Sequence, residues 1–149
     1  LKFSAGKRAI VFATDVATAR EMADKFNEKG VKALALDGGT EDSVRDRANE
    51  DFASGALSVL VNVDLFDEGY DVPAAECALV GRPTQSLNKF LQMCGRVLRP
   101  VYAEGYDLST QEGRLAAIAN GPKPTAYIID PVRNWERHGM PDWPRVWSL

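Results

Sequence analysis

Two arginines three residues apart, Arg96 and Arg99, stand in the stretch Gln92-Met93-Cys94-Gly95-Arg96-Val97-Leu98-Arg99-Pro100. A guanidinium keeps its charge and presents a flat fork of donors, which suits it to phosphate. On a helix, residues three apart project from neighbouring positions of one face. Set against a terminal phosphate, such a pair would stabilise the charge that develops during transfer. Gly95 carries no side chain and lets another surface come close. The same pattern also describes a solvated basic face at a helix end, where cations favour the dipole.

A second stretch precedes it. Val59-Leu60-Val61-Asn62-Val63 is apolar enough for a buried strand and runs into Asp64-Leu65-Phe66-Asp67-Glu68-Gly69-Tyr70-Asp71-Val72-Pro73. Gly69 can turn the chain sharply, and Asp71 lies just before a restricted Val72-Pro73 pair. Acidic groups in such a loop could accept hydrogen bonds from ribose hydroxyls. Without the arginine stretch, an acidic surface loop is the plainer account.

These segments need elements to carry them. Ala9-Ile10-Val11-Phe12-Ala13 reads as a buried parallel strand. Thr14-Asp15 offers a cap for a helix from Ala17 to Lys29, with Ala19, Met22, Ala23 and Phe26 on one face and Gly30 ending it. Val31 to Leu36 is a second strand, followed by the turn Asp37-Gly38-Gly39-Thr40. A helix from Asp42 to Ala53 turns Val44, Ala48 and Phe52 inward and stops at Gly55. Leu57 to Val63 and Glu76 to Val80 are further strands. Ser86 to Leu98 is a helix with Leu87, Phe90, Leu91 and Cys94 on its apolar side.

Pro100 to Pro124 interrupts the alternation. Within it Ser109-Thr110-Gln111-Glu112 resembles a capping box opening a short helix to Ala119. Ala126 to Asp130 is the fifth strand. Strand and helix in alternation with short connections predict an α/β domain with a parallel sheet. Ligands in such sheets sit at the carboxyl ends of the strands, which directs attention to the loops after the first, third and fourth. The tail, residues 132–149, carries Trp135, Trp143 and Trp147. It is expected either to strap its tryptophans onto the domain, residues 1–131, or to dock onto another part of the protein.

Bulk properties narrow the class. The 149 residues are 45% hydrophobic and 26% charged, as in an ordinary globular domain. The net charge of −3 and pI near 5.2 argue against a dedicated, highly basic nucleic-acid binder. A domain touching a few phosphates remains allowed. No apolar run is long enough for a membrane helix, and the start shows no signal-peptide pattern. Beginning at Leu1, the sequence fits a fragment of a longer chain. Cys77 and Cys94 are too few for a disulfide framework or zinc site and read as free thiols of a reducing cytoplasm. His138 alone cannot anchor a metal.

Taken together, the stretches resemble the C-terminal RecA-like domain of superfamily-two helicases and translocases. Gln92-x-x-Gly95-Arg96-x-x-Arg99 matches motif VI. Asp67 to Pro73 is similar to motif V, and Ala9 to Thr14 with its helix to motif IV. The resemblance runs from about Arg8 to Asp130. Arg137-His138-Gly139 and Trp147-Ser148-Leu149 are similar to phage and bacterial helicases of the DEAD/DEAH type. The resemblance implies a RecA-like three-layer sandwich with a mainly parallel central sheet. It also implies that Arg96 and Arg99 reach the γ-phosphate of ATP across a domain cleft, with Gln92 orienting the site. Glu68, Gly69 and Asp71 would lie beside the ribose. Thr14 and the Gly38-Gly39-Thr40 turn are expected contacts for phosphates of a nucleic acid, through amides free at a helix start.

There are departures. Val63 stands where many relatives carry a threonine that touches nucleic acid, and Gln92 where many carry histidine. Asp130-Pro131-Val132-Arg133 lacks the His and Gly that close relatives show there.

A P-loop, Gly-x-x-x-x-Gly-Lys-Ser/Thr, is missing: Gly6-Lys7 has neither the upstream glycine nor the following hydroxyl. No Asp-Glu-x-Asp/His segment is present for magnesium. The family keeps both in the preceding RecA-like domain, so ATP and Mg2+ are expected mainly there and this chain alone is expected to be inactive. The implied partners are that N-terminal domain and a nucleic acid, with DNA favoured over RNA. Two alternatives stay open: a non-catalytic Rossmann-like docking module whose arginines hold an acidic partner, and a restriction-enzyme motor subunit.

Overall fold

The computed structural model describes residues 6–63 and 74–145. Five strands form one sheet: β1 (Ala9–Phe12), β2 (Ala33–Leu36), β3 (Val59–Asn62), β4 (Cys77–Val80) and β5 (Tyr127–Ile129). Their order is β2-β3-β1-β4-β5 and every pairing is parallel. Ala9 lies opposite both Val59 and Cys77, so the rows of the three central strands run in step. Alternate residues then face opposite layers. Ile10, Phe12, Leu60, Ala78 and Val80 point into one core; Ala9, Val11, Val59, Val61 and Cys77 point into the other. Burial on both faces is why these strands read as unbroken apolar runs.

Helix α1 (Val16–Glu28) covers the second core with Ala19 and Ala23, flanked by Met22 and Phe26. Asp15 caps it, its carboxylate accepting from the Thr18 amide at 2.8 Å. At the other end Gly30 takes φ +75°, and the amides of Gly30 and Val31 donate to the carbonyls of Asn27 and Phe26. This closing turn draws Val31 into the helix end, so β2 begins at Ala33 rather than Val31.

The first core is covered by α2 (Asp42–Ser54), through Ala48 and Phe52, and α3 (Leu87–Leu98), through Phe90, Cys94 and Val97. Helices on both faces of a parallel sheet make the three-layer sandwich. Val44, expected inside, is 42% exposed. Its neighbour Arg45 takes the inward side of the first turn and donates to the carbonyls of Asp37 and Gly38.

Helix α4 (Gln111–Ala119) lies in the Pro100–Pro124 excursion. Its cap is Thr110, which accepts from the Gly113 amide at 3.0 Å, one residue later than the expected Ser109. The Ser109 hydroxyl instead donates to Asp107. The tail contains one turn of helix, α5 (Asn134–His138), entered through Arg133 at φ 61°.

At the amino edge of the sheet, buried Glu76 ties three segments together. It accepts from Lys7 Nζ at 2.9 Å and from the Arg8 amide at 3.2 Å. The Arg8 guanidinium extends to the Ala53 carbonyl at 2.8 Å, at the end of α2. Burial raises the Glu76 pKa, but the bonds from Lys7 and Arg8 outweigh it and hold the carboxyl below its ordinary value of 4.5. A lowered folded-state pKa stabilises the fold above the ordinary value, and that contribution disappears as pH falls through the folded one. Glu76→Gln is expected to cost about 1.5–3 kcal/mol at neutral pH. In urea titrations the variant and parent should converge below pH 4.5. An equal gap at acid and neutral pH would show that Glu76 acts only by shape.

Candidate functional site

Helix α3 carries the arginines. Ser86 starts it, its hydroxyl accepting from the Lys89 amide at 3.3 Å. Phe90, Cys94 and Val97, four and then three residues apart, fix which face is buried. Cys94 is sealed there: burial, and secondarily the charge of Asp130, pushes its thiol pKa up to about 12. It is therefore an inert packing group, and Cys77 is likewise a buried free thiol. Gln92 projects to solvent and Arg96, one turn on, is half-buried.

The two arginines do not share a helical face. Arg99 is the C-cap, with φ −63° and ψ 121°, outside the helix. Pro100 is the cause, because the ring disfavours helical ψ at the residue before it. Arg96 thus projects from the last turn and Arg99 from the extended chain that leaves it. A Cβ at Gly95 would meet nothing within 4 Å. Among the described residues, therefore, nothing in the domain calls for glycine here.

The parallel sheet separates the candidate residues into two groups. Thr14 follows β1 and Gly38–Thr40 follows β2, so both lie at the carboxyl edge. Here β1 and β4 are neighbours whose following helices, α1 and α3, lie on opposite faces. That is the arrangement that opens a crevice in such sheets. The arginine end of α3 lies elsewhere, near the start of β5, because the Arg99 carbonyl accepts from Lys123 Nζ at 3.1 Å. A helix of twelve residues spans about 18 Å. The arginines thus stand at the far end of α3 from the loop that follows β4.

At the carboxyl edge the Gly39 and Thr40 amides and the Thr14 hydroxyl are already engaged. The Gly39 amide donates to Asp37 Oδ1 at 2.8 Å and the Thr40 amide to the Asp37 carbonyl at 3.0 Å. The Thr40 hydroxyl accepts from the Asp37 amide. Those amides are not free, because Asp37 closes the turn on itself. The Thr14 hydroxyl donates to Asp15 at 2.8 Å. Bonds from Thr18 and Thr14 hold the Asp15 carboxyl below its ordinary range, which leaves an anion beside Thr14. Glu68, Gly69 and Asp71 lie outside the described residues, and Val63 is buried at the end of the strand before them.

Sequence reasoning missed a polar clasp that fixes the start of α3. Asn134 is 4% exposed. Its Oδ1 accepts from the Thr84 amide at 2.9 Å, and its Nδ2 donates to the Arg82 carbonyl at 3.0 Å and to Asp130 at 3.2 Å. His138 Nε2 lies 2.8 Å from the Thr84 carbonyl, and its ring stacks on Phe90 with centroids 5.6 Å apart. These groups fasten the described tail, and Trp147 lies outside the described residues. Trp135 and Trp143 are 39% and 57% exposed. A one-turn helix has no periodicity to find, and nothing local marks Asn134 as buried.

Among the described residues no cluster of His, Cys, Asp and Glu could hold a metal ion, and no helix is long and apolar enough to cross a membrane.

A five-stranded parallel sheet between helical layers, closed by an arginine-bearing helix, is the architecture of a RecA-like motor domain. The chain belongs to the helicase conserved C-terminal domain family, whose profile matches residues 1–101. It is 36% identical over 148 residues to the 51.5 kDa protein of a Lactococcus phage, covering 99% of this chain and 28% of that one. It is 28% identical over 133 residues to the ATP-dependent RNA helicase drs1 of Aspergillus oryzae, covering 84% of this chain and 16% of that one. Against UvrABC system protein B of Anaplasma marginale the identity is 29% over 115 residues, covering 77% and 17%. The chain thus spans less than a third of each of these relatives.

Among solved structures, the yeast DEAD-box splicing factor Prp28 superposes with a TM-score of 0.63 at 16% identity, covering 87% of this chain and 24% of that one. The E. coli DEAD-box protein SrmB gives 0.59 at 23% identity, covering 83% and 62%. At these identities the likeness establishes the RecA-like fold expected from the motifs.

Removing the Asn134 side chain deletes three hydrogen bonds around one buried position. Asn134→Ala should lower the stability of the chain by about 2–3 kcal/mol, read from the urea midpoint. An unchanged midpoint would mean that the tail is not fastened by this residue.

Proposed function

We propose that the chain is the second motor domain of an ATP-dependent nucleic-acid helicase or translocase, turning Arg96 and Arg99 toward the γ-phosphate of ATP held by another domain. One observation carries the reading. The end of α3 combines an open glycine, a half-buried arginine on the last turn, and a second arginine swung out of the helix by Pro100. A surface built to cover its own domain would have no use for the gap at Gly95. A nucleotide-bearing domain arriving from outside would use it, since a P-loop is missing from this sequence and phosphates must be cradled elsewhere.

In this mechanism ATP, with magnesium beside its phosphates, sits on the N-terminal RecA-like domain. Closure of the two domains brings the guanidiniums to the γ-phosphate, where they stabilise charge that spreads over its oxygens during transfer. Gln92, one turn before Arg96, orients the group. The acidic loop with Glu68, Gly69 and Asp71 lies beside the ribose. The nucleic acid follows the carboxyl edge of the sheet, past Thr14 and Gly38–Thr40. Because Asp37 and Asp15 already engage the polar groups there, these positions contribute shape, or exchange partners when a phosphate arrives. DNA is the substrate we expect. One relative's name specifies RNA, so both are to be tested. The free buried thiols suit a cytoplasmic location.

The test is ATP turnover by the full-length protein, with and without single- and double-stranded DNA and RNA. Arg99→Ala should lower nucleic-acid-stimulated turnover about 10³-fold or more, with a cooperative melt retained to show that the variant folds. A variant that keeps its turnover removes Arg99 from the mechanism. Turnover absent with every nucleic acid would instead favour a docking module whose arginines hold an acidic partner.

A companion substitution tests the gap. Gly95→Ala should stabilise the chain by about 0.5–1 kcal/mol, since alanine is the better helix former and its methyl meets no neighbour among the described residues. Turnover of the full-length protein should nevertheless fall. Stabilisation with full activity would show that no surface closes on this turn.

A further inference from the structure

Lys123 sits in the connection between α4 and β5, yet it is only 6% exposed. Lysine is among the residues least often buried, because withdrawing an ammonium from water is costly without partners. One partner among the described residues is the carbonyl of Arg99, 3.1 Å from Nζ and 24 residues earlier in the chain. That carbonyl stands at the C-terminus of α3, where the last peptide oxygens lack helical partners and the dipole is negative. A cation suits this position better than a neutral donor.

The strut that carries the lysine is stiff. Lys123 lies between Pro122 and Pro124. The first ring fixes its own backbone angle, and the second confines Lys123 to extended conformations. The ammonium is thus delivered from a segment with little freedom of its own. Its target residue has equally little: Arg99 precedes Pro100 and holds ψ at 121°. Fixing the direction of the Arg99 carbonyl at that ψ also fixes the Cα–Cβ bond, and so the base from which the guanidinium extends.

We infer that Lys123 is a positioning residue for Arg99, locking the turn after α3 so that the guanidinium meets the γ-phosphate at a set place. The inference rests on the reading of Arg99 as a γ-phosphate group. Lys123 itself touches no nucleotide. Its effect is geometric, and displacement of a reacting group by about 1 Å can cost as much as 10²-fold in rate. It also explains how the 100–124 excursion can lie between the arginine turn and β5 without loosening the turn. The excursion is closed on itself by the Ala103 amide bonding to the Ala117 carbonyl, and Lys123 pins its far end back to its beginning.

The experiment compares Lys123→Met, Lys123→Gln and Lys123→Arg with Arg99→Ala in the full-length protein. The readouts are kcat and KM for ATP, and affinity for ADP alone and for ADP with aluminium fluoride. Lys123→Met should lower kcat about tenfold or more and weaken binding of the aluminium fluoride complex, with KM and ADP affinity within about twofold. Lys123→Arg, which keeps the charge and the donors, should recover most of the loss. Should the Met variant lose its cooperative melt, Lys123→Gln carries the comparison with less disturbance to the core.

A folded variant with parental kcat overturns the inference. So does a parallel fall in ADP affinity and kcat, which would make Lys123 a support of the fold alone. Arg99→Ala separates the two levels. If it abolishes turnover while the Lys123 variants do not, only the positioning role falls. If it leaves turnover intact, the arginine reading falls and this inference with it.

Discussion

Parallel pairing is the constraint on which the rest of this molecule depends. Neighbouring parallel strands cannot be joined by a tight turn, so each connection must carry the chain back from the carboxyl edge to the amino edge. Helices beginning near one edge therefore end near the other. In this domain α2 and α3 make that return on the same face, over the core containing Phe52, Phe90 and Val97. Residues at the start of α3 belong to the crevice between β1 and β4; residues at its end do not. The separation of Thr14 and Gly38–Thr40 from Arg96 and Arg99 follows from topology before any side chain is considered. A protein that must answer to two ligands can use this, because the two edges are distinct surfaces of one rigid layer.

The ends of the returning helices are finished in the same way. Arg8 reaches the carbonyl of Ala53 at the end of α2, and Lys123 reaches the carbonyl of Arg99 at the end of α3. Both cations meet the negative pole of a helix on its unpaired oxygens. Both arrive from elsewhere in the chain, so each also fastens a strand to a helix. Glu76 balances the first of these clusters, tying the start of β4 to Lys7 and Arg8. At the opposite edge, Asn134 and His138 fasten the tail to the loop that begins α3. Helix α3 is consequently held at both ends by polar contacts and along its length by packing.

What the sequence could disclose divides along physical lines. Strands buried on both faces leave apolar runs, and helices over a flat core leave residues three and four apart. Every strand and the three longest helices were legible on that basis, α4 through the capping pattern before it, as were the cap at Asp15 and the stops at Gly30 and Gly55. The motif spacing from Gln92 to Arg99 was legible as chemistry. Its geometry was not: reading Arg96 and Arg99 as one helical face neglects Pro100, although a proline's effect on the preceding residue is itself a local rule. Val44 misled because a helix face is chosen by all its residues, and Arg45 had a stronger claim on the carbonyls of the preceding turn. The Gly39 and Thr40 amides look open in sequence, but Asp37, just before them, closes on both. Lys123 and Asn134 were invisible for a different reason. Lys123 reaches a carbonyl 24 residues away and Asn134 two backbone groups 50 and 52 residues away, and a buried polar group announces itself only through contacts that the fold creates.

These fastenings bear on how such a domain could do work. If α3 could shift within the domain, binding at the carboxyl edge would be absorbed by movement inside the layer. Because both of its ends are tied, a force applied at the crevice is carried to the arginine turn through a packed helix rather than lost in a loop. On the proposed function, coupling between the two edges would take the form of a rigid-body rotation of the whole domain against its neighbour, as in hinge closure around a ligand. The bistable element would lie between domains, and the domain itself would act as a lever. On this view the buried polar groups are retained less for the stability they add than for the rigidity they impose. An apolar residue at Lys123 could fill the space as well, but it could not hold the carbonyl of the residue on which the proposed chemistry depends.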